Sequence, residues 1–242
     1  MLETSKRGVP LYMQVNELLV SKISSGEWPP GKLIPSEIKL AQELEVSQGT
    51  VRKAITDLVD KNVLVRKQGK GTFVSNHDDD RALFHFFHIT DNNGNKLLPD
   101  SQVLSCRRKT ASRHQASVLG LSEDAPIIRI ERVRSISSIP AIVETIVLPA
   151  DPFEALPTNE ADNFPNMLYE LYEQQFGITI HSAVEKLRAT TASKREAKIL
   201  QVEPGPALLE IERLALTLDK TPVELRISRC STKQHHYQNT LF

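Results

Sequence analysis

Near the start of the chain, apolar positions recur three times with a helical period. Leu11, Val15, Leu18, Leu19 and Ile23 mark one face of a helix over residues 10–24, and Pro10 suits its first turn. Gly26-Glu-Trp-Pro-Pro-Gly31 ends that helix with two prolines and two glycines. Ser36 is placed to cap a second helix, whose stripe is Leu40, Ala41 and Leu44 and which ends near Glu45. Ser47 is placed to cap a third, reaching about Lys61, with Val51, Ala54, Ile55, Leu58 and Val59 turned inward. Val46 fills the tight turn between them, which makes the pair a helix-turn-helix. Asn62–Arg66 and Thr72–Ser75 are short β-type runs around a glycine-bearing loop, Lys67–Gly71, and predict a hairpin. A hairpin directly after a helix-turn-helix predicts a winged helix domain.

Asn76-His-Asp-Asp-Asp-Arg81 is polar and acidic and reads as a linker. Beyond it the texture changes to strands: Leu83–Ile89, Val103–Lys109, Ile127–Ser135, Ala141–Leu148, His181–Ala189, Leu208–Leu216 and Pro222–Cys230. Turns are expected at 91–94, at Ser137-Ser138 and at Asp219-Lys220. Short helices are expected over Ser112–Leu119, over Met167–Phe176 with Asn166 as its cap, and from Ser193 to about Leu200. The stretch Pro126-Ile-Ile-Arg-Ile-Glu-Arg132 is echoed by Pro206-Ala-Leu-Leu-Glu-Ile-Glu-Arg213. Each copy follows a short helix and precedes a strand that carries a glutamate, Glu144 or Glu224. Two helix-then-hairpin units predict a pseudo-symmetric α+β domain on a largely antiparallel sheet. The expected division is a DNA-binding domain over 1–75, a linker over 76–81 and a second domain over 82–242.

Composition narrows the class without choosing the function. The 242 residues are 40% hydrophobic and 25% charged, as in a globular protein with a real core. No apolar run is long enough to cross a membrane, and the first residues lack the apolar core of a secretion signal, so a cytoplasmic protein is expected. Cys106 and Cys230 are isolated, which suggests neither a disulfide framework nor a zinc site. Net charge is zero, but residues 1–76 hold eleven Lys/Arg against eight acids, a local +3 that leaves −3 for the rest. His235-His236 would point to opposite faces of a strand, so the histidines read as structural or surface residues and no cofactor or metal is called for.

The third helix carries the chemistry of the first domain. The start of such a helix enters the major groove, where arginine grips guanine and glutamine grips adenine with two hydrogen bonds each. Gln48 and Arg52 are four residues apart on one face, Gly49 allows close approach, and Thr50 offers a hydroxyl, with Lys53 beside them. In the hairpin loop, Lys67, Gln68, Gly69 and Lys70 suit contact with the sugar-phosphate backbone, which supplies affinity without sequence.

These residues resemble a known family. Leu11-Tyr-Met-Gln-Val15, Gly31-Lys-Leu-Ile-Pro-Ser-Glu37, Leu40-Ala41, Thr50-Val-Arg-Lys-Ala54 and Gly69-Lys-Gly-Thr-Phe-Val74 are similar to the GntR family of bacterial transcription regulators. The resemblance implies DNA contacts at Ser36, Gln48, Gly49, Thr50, Arg52 and the wing around Gln68 and Gly69. The chain departs from the family pattern at Ile38 and Gln48, where members often carry arginine. Residues 82–238 resemble the UTRA effector-binding domain of the HutC-type branch through Phe87-x-x-Thr90, Ile130-Glu-Arg-Val-Arg134, Leu168-Tyr169, Pro222-Val-Glu224 and Ser228-Arg-Cys230. That domain is similar in fold to chorismate lyase but binds an effector without converting it. Effectors in the branch include histidine-pathway intermediates, sugar phosphates and phosphonates, mostly small and anionic.

Arg132 and Arg134 alternate on their strand and so share a face, where two guanidinium groups can clasp a phosphate or carboxylate. The resemblance places an effector-binding pair there. Glu144 and Glu224 are candidate acceptors for an effector hydroxyl or amine. Arg226 shares a strand face with Glu224, so the two either line the pocket or pair with each other. Asn166, at a helix start, is a candidate seat for an anion where members often use serine. The expectation is a repressor, acting as a homodimer on a pseudo-palindromic operator and released by a small acid. An enzyme of lyase-like fold carrying a DNA head is the alternative, against which no nucleophile–base pair stands in residues 82–238.

Overall fold

In a computed structural model, the structure describes residues 9–76, 86–158, 164–203 and 205–240. The chain divides into two compact units, residues 1–77 and 78–242.

The first unit opens with α1 (Leu11–Ser24), which buries Val15, Leu19 and Ile23. Helix α2 (Glu37–Leu44) begins at Ser36, whose side chain accepts from the Lys39 N–H. It ends on Glu45 in the left-handed region, φ 54°. Helix α3 (Gln48–Asp60) begins at Ser47, whose side chain accepts from the Thr50 N–H. Each cap satisfies a backbone donor that the first turn leaves unpaired. Val51, Ala54, Ile55 and Leu58 are buried along α3, and the Asn16 amide on α1 donates to Asp57 at 2.7 Å. Strands β1 (Leu64–Lys67) and β2 (Gly71–Val74) form the antiparallel wing, extended by a bridge from Leu33 to Phe73. Gly71 has φ +114°, and a Cβ there would meet Leu33 Cδ1 at 2.7 Å.

The second unit is built on one antiparallel sheet. Its strands are β4 (Asp100–Thr110), β5 (Pro126–Ile136), β6 (Ile139–Pro149), β7 (Ser182–Thr191), β8 (Ala207–Leu216) and β9 (Pro222–Ser231), in the order β4-β5-β6-β9-β8-β7. Helix α4 (Arg113–Leu119) joins β4 to β5, α5 (Leu168–Phe176) follows β6, and α6 (Lys194–Leu200) joins β7 to β8. The echo seen in the sequence is therefore a repeated strand-helix-hairpin unit, with the two copies meeting where β6 pairs β9. Ser112 and Ser193 open α4 and α6 with reciprocal capping boxes to Gln115 and Glu196. Ser137 and Ser138, both at positive φ, close the β5–β6 hairpin as a two-residue turn requires.

Side chains of the two sheet faces have different partners. On one face, Ile127, Val147 and Leu225 pack with Ala116 and Leu119 of α4, and Val143 packs with Ala197 and Leu200 of α6. On the other, Ile128, Ile130, Ile146 and Leu148 pack with Phe153, Leu156 and the α5 residues Leu168, Leu171 and Tyr172.

Two expectations need correction. The strand expected over Leu83–Ile89 is not found: 83–85 lie outside the described residues, and 86–88 are not strand. The observed strand is β3 (Ile89–Asp91), paired with β10 (His235–Tyr237) from the far end of the chain, a partner that local alternation cannot reveal. Asn166 is not the cap of α5: the cap position is Met167, with no side-chain hydrogen bond, while the Asn166 amide donates to the Pro99 carbonyl at 2.9 Å. Most of the expected linker, 77–81, also lies outside the described residues.

Candidate nucleic-acid interface and effector site

The exposed start of α3 presents Gln48, Gly49 and Arg52, with Ser36 exposed at the start of α2. Thr50 is half-buried, and its hydroxyl sits 2.8 Å from the Ser47 hydroxyl, so it completes the cap. Lys53 Nζ lies 3.9 Å over the Tyr12 ring, a cation–π contact that holds the ammonium against α1. Arg52 donates through Nε to Glu37 Oε2 at 2.9 Å. At the wing tip, the Lys70 N–H closes a turn on the Lys67 carbonyl at 2.9 Å, with Gly69 at φ +70° as that turn needs. Lys67, Gln68, Gly69 and Lys70 are all exposed there.

In the second unit, the face beneath α5 carries charges where apolar residues would be expected. Arg132, Arg134, Glu144, Glu224, Arg226 and Ser228 are all buried. Register explains the grouping, because Arg132 lies directly opposite Glu144, which lies opposite Ser228. Arg132 Nε donates to Glu144 Oε2 at 2.5 Å, and the Ser228 hydroxyl donates to Glu144 Oε1 at 2.9 Å. Burial alone would raise the Glu144 pKa, but the charges of Arg132, Arg226 and Arg134 outweigh it and hold the group ionised well below the usual range. Glu224 takes Arg226 in two bonds, Nε to Oε1 at 2.9 Å and Nη2 to Oε2 at 2.8 Å. Glu224 and Arg226 are thus paired with each other. The hydroxyls of Tyr169 and Tyr172 also donate to Glu224, at 3.0 and 2.9 Å, and desolvation with the Glu224 charge pushes the Tyr169 pKa up to about 12.

Arg134 is different. Its Nε donates to the Ser101 hydroxyl at 3.1 Å and its guanidinium lies 5.0 Å over the Phe87 ring. No carboxylate among the described residues reaches it within ion-pair distance. Burial, with the Arg132 charge second, pulls its pKa down to about 9, against which the Glu144 charge pushes back only in part. Beside it, Asn166 accepts from Arg132 Nη1 through its backbone carbonyl at 3.3 Å, and its side-chain oxygen is buried without a hydrogen-bond partner among the described residues. The partners Ser101 and Tyr172 were not singled out from the sequence, and Phe87 and Ser228 appeared there only as part of the family resemblance; the three-residue spacing of Tyr169 and Tyr172 on one helix is the local signal of a shared target.

The two units define a transcription regulator, a DNA-reading head joined to a body that binds a small molecule. Residues 11–74 match the bacterial regulatory proteins of the gntR family, and residues 95–236 match the UTRA domain. The chain belongs to the GntR family, in its UTRA-bearing HutC-type branch. It is 30% identical to the HTH-type transcriptional repressor NagR of Bacillus subtilis over 217 residues, 89% of this chain and 88% of that one. It is also 30% identical to the histidine utilization repressor of Pseudomonas aeruginosa over 207 residues, 84% of this chain and 80% of that one. The ligand-binding domain of a GntR-family regulator from Bordetella bronchiseptica superposes with a TM-score of 0.62 at 32% identity, covering 65% of this chain and 98% of that one. Among the described residues no helix is long and apolar enough to cross a membrane.

Proposed function

We propose that this regulator is a homodimeric repressor whose operator is released when a small anion binds against Arg134 in the UTRA unit. The supporting observation is the charge balance of the buried face: among the described residues, three guanidinium groups, Arg132, Arg134 and Arg226, stand against two carboxylates, Glu144 and Glu224. A buried charge without a counter-ion is costly, and an incoming phosphate or carboxylate relieves that cost. Arg132 and Arg134 form the anion seat, with Arg132 held in orientation by Glu144. The unpartnered Asn166 oxygen accepts from a hydroxyl or amine of the same ligand, while Glu224 and Arg226 form the floor of the site. Sugar phosphates, phosphonates, histidine-pathway acids and other small acids all carry the required group.

At the head, Gln48, Gly49 and Arg52 face base edges, and Ser36, Thr50, Lys53 and the wing residues Lys67 to Lys70 track phosphates. Two copies of the head then address two half-sites of an operator in the cytoplasm. Ligand and operator are coupled because each favours a different arrangement of the dimer.

Thermal unfolding tests the anion seat. Inorganic phosphate, a sugar phosphate and a small dicarboxylic acid are titrated against the full chain and against Arg134→Gln. A ligand at a hundred times its Kd stabilises the wild type by about 2.7 kcal/mol, a rise of roughly 5–10 °C in Tm, and leaves the variant unmoved. Equal rises in both proteins, or no rise with any anion, refute the proposal.

A further inference from the structure

Glu37 opens α2 directly after its cap, and each of its carboxylate oxygens holds a different arginine. Oε2 accepts from Arg52 Nε at 2.9 Å, and Oε1 accepts from Arg66 Nη2 at 3.3 Å. The same Arg66 nitrogen donates to the Thr56 hydroxyl at 3.1 Å. One carboxylate thus ties together the start of α2, the second turn of α3 and the first strand of the wing.

The choice of donor atom matters. Arg52 is the single arginine of α3, and its side chain remains 60% exposed despite the contact. Nε is occupied, while Nη1 and Nη2 have no partner among the described residues. An arginine grips the N7 and O6 of guanine with two N–H groups, either side-on through Nε or end-on through the two terminal nitrogens. With Nε committed to Glu37, only the end-on grip is open. An exposed ion pair contributes little to stability, so holding a long, flexible side chain still matters chiefly through preorganisation for what it will contact.

Charge points the same way. A free arginine on this face is attracted to any phosphate, whatever the sequence. Glu37 offsets one of the two positive charges of Arg52 and Arg66, so the sequence-independent attraction of Arg52 is reduced and it gains most where two acceptors are aligned with its two remaining donors. A carboxylate near the groove also opposes phosphates, which weakens binding to wrong sequences more than to the right one.

We propose that Glu37 is the positioning residue for base readout, fixing Arg52 in an end-on geometry and suppressing its sequence-independent attraction to DNA. The proposal rests on the reading of Arg52 as a base-contacting residue. The test uses the full-length protein and a duplex that it selects from a random pool. Affinity for that duplex and for a scrambled one is measured for wild type, Glu37→Ala, Glu37→Gln, Arg52→Ala and the Glu37→Ala/Arg52→Ala pair. Glu37→Ala and Arg52→Ala are each expected to lose about tenfold on the selected duplex, the size of one bidentate contact. Glu37→Ala holds or gains on the scrambled duplex, the double variant is no worse than Arg52→Ala alone, and Glu37→Gln retains part of the wild-type preference. Selection repeated with Glu37→Ala relaxes the same base position that Arg52→Ala relaxes. Losses that multiply in the double variant, or an unchanged base preference in Glu37→Ala, overturn the proposal and leave Glu37 as scaffold. An unchanged base preference in Arg52→Ala instead removes the underlying reading of Arg52, a different failure that the same data identify.

Discussion

Replacing Glu144 by Gln tests whether the buried charges of the UTRA unit behave as one balanced group. The carboxylate takes Arg132 at 2.5 Å and Ser228 at 2.9 Å, with Arg226 Nη1 at 3.8 Å. Glutamine keeps the volume, and its oxygen can still accept from Ser228, so packing is not the variable. What changes is the buried balance, from three cations against two anions to three against one. Breaking a buried pair by removing one partner costs about 3–5 kcal/mol. For a unit of this size that lowers Tm by roughly 6–20 °C, at 2–4 °C per kcal/mol. The two units can be followed separately, because Trp28, the only tryptophan, lies in the first unit, while three of the four tyrosines, Tyr169, Tyr172 and Tyr237, lie in the second and Tyr12→Phe silences the fourth. Near-ultraviolet dichroism of the tyrosines during urea unfolding should show the early transition, and Trp28 fluorescence should not. A change below about 1 kcal/mol, the scale of a single neutral hydrogen bond, would show that solvent or side-chain rearrangement already compensates Glu144 and that the group is not coupled as drawn.

Three further outcomes follow from other parts of the molecule. Gly71→Ala forces a Cβ to within 2.7 Å of Leu33 Cδ1 at a φ of +114°, so it should cost about 1–3 kcal/mol in the head and weaken binding to all DNA, measured by Trp28 unfolding and by titration of duplex. Lys70→Ala, at the wing tip, should lower affinity for specific and scrambled duplexes alike and reduce the slope of log K against log salt by about 1; an unchanged slope would remove Lys70 from the phosphate contacts. Glu131 is held down to about 2 by hydrogen bonds from Arg195 and Arg129, against an unfolded value near 4.3. Its stabilisation is therefore full above about pH 4.5 and drains as pH falls towards 2, so wild type and Glu131→Gln should converge in urea unfolding at low pH and diverge near neutrality.

Legibility in the sequence followed the range of each interaction. Ser36, Ser47 and Ser193 cap the helices expected of them, and Ser112, expected as the first residue of its helix, is its cap, since a cap bonds to a backbone N–H three residues on. The hairpin at Ser137-Ser138 and the repeat beginning at Pro126 and Pro206 were readable for the same reason. Alternation placed Arg132 and Arg134 on one face, but it could not assign partners. Arg132 meets Glu144 through cross-strand register, and Arg226 meets Glu224 on its own strand. Nothing local distinguishes those pairings. Asn166 is not the cap because α5 starts one residue later, after Met167, and the Asn166 amide is turned to Pro99, far away in sequence; β3 was missed because its partner among the described residues, His235–Tyr237, is likewise far away.

The seam between β6 and β9 has a kinetic consequence. Each strand-helix-hairpin repeat pairs residues close in sequence, whereas Glu144 meets Ser228 across 84 positions. Closing so long a loop is entropically uphill until the contacts on both sides exist, so the seam is expected to form last and to set the folding rate. The Glu144–Ser228 and Glu144–Arg226 contacts are made only across that seam. A chain with its seam open still carries Arg132 and Arg134 on the first half-sheet, with Glu144 opposite Arg132, but lacks the Arg226 and Ser228 contacts that complete the charge group. A ligand that binds the completed group better than the open one therefore draws the population towards the closed sheet by mass action.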